Sequence, residues 1–179
     1  SPSIPLLEVL YSRGWDLNAA CETDMLGRGE RVIDAAVNNE ELVVWLVEHG
    51  ARVDGGDEEA IVDPRPAPLL ETCAAFGSLS TFVYLQERGA KFGRKTLHRA
   101  ALRGAAHGAD PSRSSTDAAT MTSQGEGEKE EGGNEARKRL ESEKMLRYLV
   151  DEVGLDVNQA EPDFTFPSGT PINYAASEP

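Results

Sequence analysis

His49-Gly50-Ala51-Arg52-Val53-Asp54 closes an apolar run, Leu42-Val43-Val44-Trp45-Leu46-Val47-Glu48, and its pattern returns along the chain. Arg13-Gly14-Trp15-Asp16-Leu17-Asn18, Arg88-Gly89-Ala90-Lys91-Phe92 and Val153-Gly154-Leu155-Asp156-Val157-Asn158 share the order: Gly, a small or apolar residue, a charged residue, an apolar residue. In three of the four copies Asp or Asn comes next. The four glycines fall 36, 39 and 65 residues apart. Self-similarity at such intervals marks a repeat architecture, and a unit of about 33 residues with insertions fits all three.

The runs that precede the glycines have the apolar spacing of helices with one buried face, as in Leu42 to Glu48 and in Leu79-Ser80-Thr81-Phe82-Val83-Tyr84-Leu85-Gln86-Glu87. Gly then ends each helix in the left-handed conformation that other residues avoid. A second phrase opens a helix before each such run. It reads Lys95-Thr96-Leu97-His98-Arg99-Ala100-Ala101 in one copy and Gly169-Thr170-Pro171-Ile172-Asn173-Tyr174-Ala175-Ala176 in another. Pro at a first helical position leaves no N–H unpaired, and Thr before it caps the next orphan donors. Each copy is therefore helix, turn, helix, β-like loop, and no copy buries its apolar face alone.

These phrases resemble the Thr-Pro-Leu-His-x-Ala-Ala opening of the ankyrin repeat family. Pro68-Leu69-Leu70-Glu71-Thr72-Cys73-Ala74-Ala75-Phe76-Gly77 shifts the Pro by one place, and Val32-Ile33-Asp34-Ala35-Ala36 has no Thr-Pro. The expected fold class is all-α, an α-solenoid of stacked helix-turn-helix repeats with β-like loop connections. One array spans 1–179: a partial repeat at 4–18, repeats at about 29–54, 66–92 and 93–158, and a partial repeat at 169–179. Both ends fall inside repeats, so the chain reads as an excerpt of a longer array or of a larger protein. Ile4, Leu7, Leu10, Ile172 and Tyr174 are then apolar candidates for surface that a neighbour would cover, and self-association through open array ends is expected.

Residues 105–137 belong to a different polymer. Their Ser, Thr, Gly and Glu offer too little apolar surface to offset the entropy of ordering, so a disordered insertion is expected, entering after Gly104 at the turn between two helices. Its length matches the excess in the longest glycine interval. A helix resumes at Arg137-Lys138-Arg139-Leu140. Two acidic, Pro-containing insertions lengthen the loops after the second and fourth repeats, around Gly55–Pro66 and Gln159–Pro167. Each is either a partner contact or a plain solvated loop.

The chain has 179 residues, 39% of them hydrophobic, and a formal net charge of −13. That charge argues against nucleic acid, whose phosphates need a basic stripe. It permits a basic protein partner, and it equally serves solubility alone. No apolar run reaches the roughly 20 residues of a membrane helix and no signal peptide is visible, so neither a membrane nor secretion is expected, and the compartment reads as intracellular. Cys21 and Cys73 form neither a disulfide framework nor a metal spacing. Cys73 takes a small buried position, and Cys21 lies in a loop.

No nucleophile with a base, no metal cluster and no phosphate cradle is visible, so an enzyme, a metal and a cofactor are not expected. The Gly125 to Gly133 run lacks the Lys-Ser/Thr of a phosphate loop. His49 falls at the exposed end of a helix and His107 in the insertion. The resemblance makes His98 structural, tying a helix start to its loop. It also implies protein binding through the tips of the β-like loops and the exposed face of the opening helices. Carried over by position, these are Ala75 and Phe76 in the third repeat, Leu102 and Arg103 in the fourth, and approximately Asn38 and Asn39 in the second. Phe and Arg are types favoured at binding hot spots. Phe76 either meets a partner or packs on the next repeat, and Trp15 either covers the open end or lies against a neighbour. Asp57, Glu58, Glu59, Glu161 and Asp163 would form an acidic rim. The expected function is a non-catalytic interaction scaffold for an unidentified protein or peptide, with a basic one favoured by charge. The alternatives are a targeting or regulatory segment of a larger enzyme or signalling protein, a structural spacer, and a small-molecule binder.

Overall fold

A computed structural model describes residues 4–21, 30–54, 67–108, 128–160 and 169–176. The protein is mostly helical. In chain order its elements are α1 (Ile4–Ser12), β1 (Ala20–Cys21), β2 (Glu30–Arg31), α2 (Val32–Ala35), α3 (Glu40–Glu48), α4 (Leu69–Phe76), α5 (Leu79–Glu87), α6 (Thr96–Gly108), α7 (Glu128–Arg147) and α8 (Pro171–Ala176). A π-helical turn, Tyr148–Glu152, extends α7. The strands are two residues each and pair antiparallel, Ala20 with Arg31 and Cys21 with Glu30. Cys21 therefore sits in a short ladder rather than in the loop expected for it.

The chain divides into two compact units, Ser1–Arg99 and Ala100–Pro179. The division falls inside the stretch expected to form the fourth repeat. In the first unit the core is a column of small and branched residues. Ile33, Val43, Leu46, Leu69, Leu70, Cys73, Ala74, Phe82 and Leu85 are all buried. The small members allow close approach. An added Cβ at Gly77 would lie 2.9 Å from the carbonyl oxygen of Val37, so the turn after α4 abuts the turn after α2. Asn39 and Ser78 start α3 and α5 in the same way, their side chains accepting the backbone N–H groups of Leu42 and Thr81 at 3.2 and 3.1 Å.

Four closing turns share one backbone geometry. Gly14, Gly50, Gly89 and Gly154 have φ of 88°, 99°, 91° and 76°. After the first three, Trp15, Ala51 and Ala90 donate to the carbonyls of Leu10, Leu46 and Leu85 at 3.1, 2.9 and 3.0 Å. These are the long bonds of a Schellman turn, which satisfy carbonyls that the helix leaves open. In the first unit a side chain ties one such loop to the next: Asn18 donates Nδ2 to the Gly50 carbonyl at 3.1 Å and accepts the Arg52 N–H at 2.7 Å.

In the second unit, Ala100, Ala101, Met145 and Leu149 are buried. Two expectations are corrected here. Gly104 does not end a helix, because α6 runs on to Gly108. A Cβ at Gly104 would come within 2.9 Å of Leu146 Cδ1, so this glycine admits α7 rather than breaking α6. The region expected to be disordered is also helical at both margins, 105–108 and 128–137. Glu, Lys, Arg and Ala are strong helix formers whether or not they bury surface, which is why a low apolar content misled there. Residues 109–127 lie outside the described residues.

Candidate protein-binding face

The site expected from position begins at the turn between α4 and α5. Phe76, the last residue of α4, is 67% exposed, and Ala75 before it is half-buried. Of the two places open to Phe76, packing on a neighbouring repeat is therefore not the one adopted. Because the Gly77 turn abuts the Val37 carbonyl, exposed Asn38 lies on the same edge as Phe76. Ser80 on α5 also donates a hydrogen bond to the Glu40 carboxylate on α3, locking the two helix starts side by side. Phe76, Asn38 and Glu40 are all exposed at this edge. Nothing in the sequence pattern singled out the Glu40 and Ser80 pair, since the two residues lie 40 apart.

The half-buried Asn39 caps α3, its side chain accepting the Leu42 N–H. Leu102 and Arg103 are half-buried within α6 instead of at a turn, because the helix continues past Gly104. Asp57, Glu58, Glu59, Glu161 and Asp163 lie outside the described residues.

In α2, α4 and α6 the residue in the third place, Asp34, Glu71 and His98, is polar and buried, and each copy treats it differently. Asp34 takes a bidentate ion pair from Arg31, with Nε on Oδ2 at 3.0 Å and Nη2 on Oδ1 at 3.2 Å. The same guanidinium donates to the Arg52 carbonyl at 2.9 Å. Glu71 is 5% exposed and accepts the Lys95 backbone N–H at 3.1 Å, with Arg99 Nε 3.9 Å away. Burial pushes the Glu71 carboxyl above its ordinary 4.5, against the lowering effects of the Lys95 N–H, the Arg99 and Lys95 charges and His98. His98 is fully buried and contributes to that field. Gly93 leaves room for the carboxylate: a Cβ there would overlap Glu71 Oε2 and touch Pro68.

A third cluster joins α1 to α3. Tyr11 meets the Trp45 ring edge-on at 6.1 Å and the His49 ring at 5.3 Å, while Trp45 and His49 stack at 4.1 Å. His49 Nδ1 lies 2.7 Å from the Trp45 carbonyl oxygen, so this half-buried ring packs as part of a helix end rather than standing exposed. The i, i+4 spacing of Trp45 and His49 was the available signal for it.

Among the described residues no group of three or more His, Cys, Asp or Glu could hold a metal ion, and no helix is long and apolar enough to cross a membrane. Comparison of the chain with protein-family models, with curated proteins and with solved structures gives no match.

Proposed function

We propose that the chain is a non-catalytic protein-binding scaffold of ankyrin-like repeats, and that the edge carrying Phe76 and Asn38 is its contact surface. The observation that carries this reading is the 67% exposure of Phe76 at the end of a helix whose other large side chains, Leu69 and Leu70, are fully buried. A large aromatic ring held outward on a rigid helix end loses little conformational entropy on binding and has much apolar area to give. The net charge of −13 favours a basic partner. The test is to pan a random peptide library against the chain and measure the selected peptides on wild type and Phe76→Ala. Basic, apolar-anchored peptides that dissociate faster from the variant support the reading. Peptides without excess positive charge that bind both proteins equally overturn it.

A further inference from the structure

Six of the chain's 18 Lys and Arg residues, Arg88, Lys91, Arg94, Lys95, Arg99 and Arg103, lie between Glu87 and Asp110, a stretch without Asp or Glu in a chain that has 31 of them. The first five belong to the first unit, where they follow α5 through its closing loop into the first turn of α6. The other three closing loops each carry an Asp, at Asp16, Asp54 and Asp156. In this one the place four residues after the glycine, Asn or Asp elsewhere, is Gly93, and Arg94 and Lys95 come next. Its positive charges therefore add, where those of the other loops are offset.

The backbone that carries these charges is fixed. The Phe92 ring lies 5.9 Å from that of buried Phe82, and Thr96 Oγ1 both accepts the Gly93 N–H at 3.0 Å and donates to the Gly93 carbonyl at 2.8 Å. Buried Glu71 accepts the Lys95 N–H, and the Arg99 N–H donates to the Lys95 carbonyl at 2.8 Å. On this frame Arg88, Lys91, Arg94 and Arg99 are exposed, and Phe92 is 37% exposed. Arg94 pairs with no carboxylate among the described residues. Arg99 Nε lies 3.9 Å from Glu71, too far for a hydrogen bond. Lys95 and Arg99 stand one helical turn apart, a spacing at which like charges repel and an anion laid across them relieves the repulsion.

We propose that this loop docks an acidic segment of a partner protein, with carboxylates on Lys91, Arg94 and Arg99 and an apolar side chain on Phe92. The arginines suit carboxylates because a guanidinium fork matches both oxygens at once. A short acidic segment stays within the roughly 8–10 Å over which local charge dominates at physiological salt. A nucleic acid carries its charge past the loop, onto a chain whose net charge of −13 repels it. The surface is separate from Phe76: the nine residues of α5, about 13 Å of helix, lie between the Phe76 turn and this loop. Either contact can fail without the other.

The probe is a short labelled peptide of Glu residues around one Phe, followed by fluorescence anisotropy at physiological salt. It is titrated with wild type, with the double variant Lys91→Ala, Arg94→Ala, and with Lys138→Ala, Arg139→Ala, which removes the same charge from α7. All four altered side chains are exposed, and melting curves check that both variants fold. Wild type should bind the peptide and not a counterpart with Lys in place of Glu. The loop variant should bind about tenfold or more weakly, the scale expected for losing two charged hydrogen bonds, while the α7 variant and Phe76→Ala bind as wild type does. A wild type that does not prefer the acidic peptide overturns the proposal. Equal losses in the two double variants also overturn it, because net charge alone would then explain the binding. So does a thymidine oligonucleotide that binds wild type more tightly than the peptide and is lost on the loop variant, which would make the loop a nucleic-acid surface.

Discussion

The backbone N–H of Leu155 donates to the carbonyl of Leu149, six residues back, at 3.0 Å, where Ala51 and Ala90 reach only five residues back to Leu46 and Leu85. The extra residue is visible in sequence: Leu149 precedes Gly154 by five places, and Leu46 and Leu85 precede their glycines by four. A regular α-helix would rotate either Leu149 or Gly154 out of place. The Tyr148–Glu152 π turn absorbs the insertion, with Val153 donating to the Tyr148 carbonyl at 3.0 Å, and keeps Leu149 fully buried.

Removing that residue should therefore be tolerated. Deletion of Glu152 restores the four-place spacing, and the melting temperature should fall by no more than a few degrees or rise. Deletion of Glu87 from α5 breaks the spacing between Leu85 and Gly89, and should cost a large part of the protein's stability. Equal losses from the two deletions would refute this account of the π turn.

The glycines separate conformational strain from steric clash. At Gly50 nothing lies within 4 Å of an added Cβ, so Gly50→Ala should cost only the left-handed backbone penalty of about 1–2 kcal/mol, and Gly50→Asn less. Gly77 has an ordinary φ of −86°, but its Cβ would press on the Val37 and Cys73 carbonyls, both at 2.9 Å. Gly77→Ala should be the more damaging of the two in urea denaturation, because backbone atoms of neighbouring turns must move apart.

Burial raises the folded-state pKa of Glu71, and this fixes the sign of a pH effect. Between its ordinary 4.5 and the raised folded value, the folded protein holds a proton that the unfolded chain has released, so stability declines as pH climbs through that window. Glu71→Gln keeps an oxygen for the Lys95 N–H but cannot titrate. Urea midpoints measured across pH should show the wild-type decline as pH rises above 4.5 and a flatter curve for the variant. Parallel curves would show that Glu71 does not contribute.

Much of the helical layout was legible because it follows from local chemistry. Gly after an apolar run closes a helix wherever φ must be positive. What sequence reasoning missed depends on tertiary neighbours. Gly104 looked like a helix end, and only the approach of Leu146 explains why it sits mid-helix, which in turn moves Leu102 and Arg103 off a turn. By position Asn39 is only an approximate contact, and its capping of α3 through the Leu42 N–H appears only in the structure. Glu71 stands where the resemblance expects His, and its role emerged only with Lys95 placed beside it. At the proposed edge, Phe76 was legible by position, whereas the Glu40 and Ser80 pair was not.

Phe76 and Phe82 provide the sharpest contrast between a surface contact and a core one. Phe82 is fully buried, and its ring lies 5.9 Å from that of Phe92, so Phe82→Ala should cost about 3–5 kcal/mol by removing apolar contacts and leaving a cavity. Phe76 is mostly in solvent, and its truncation should change stability by no more than about 0.5 kcal/mol. Its effect should appear in binding instead. For a peptide selected on the wild-type chain, Phe76→Ala should weaken affinity by about 1–3 kcal/mol, mainly through faster dissociation, since a buried anchor holds a complex that charge only steers together. Paired urea titrations and surface-binding kinetics on the same two variants separate these cases. Loss of stability in Phe76→Ala would mean that its ring packs against the protein, and unchanged dissociation would move the contact surface elsewhere.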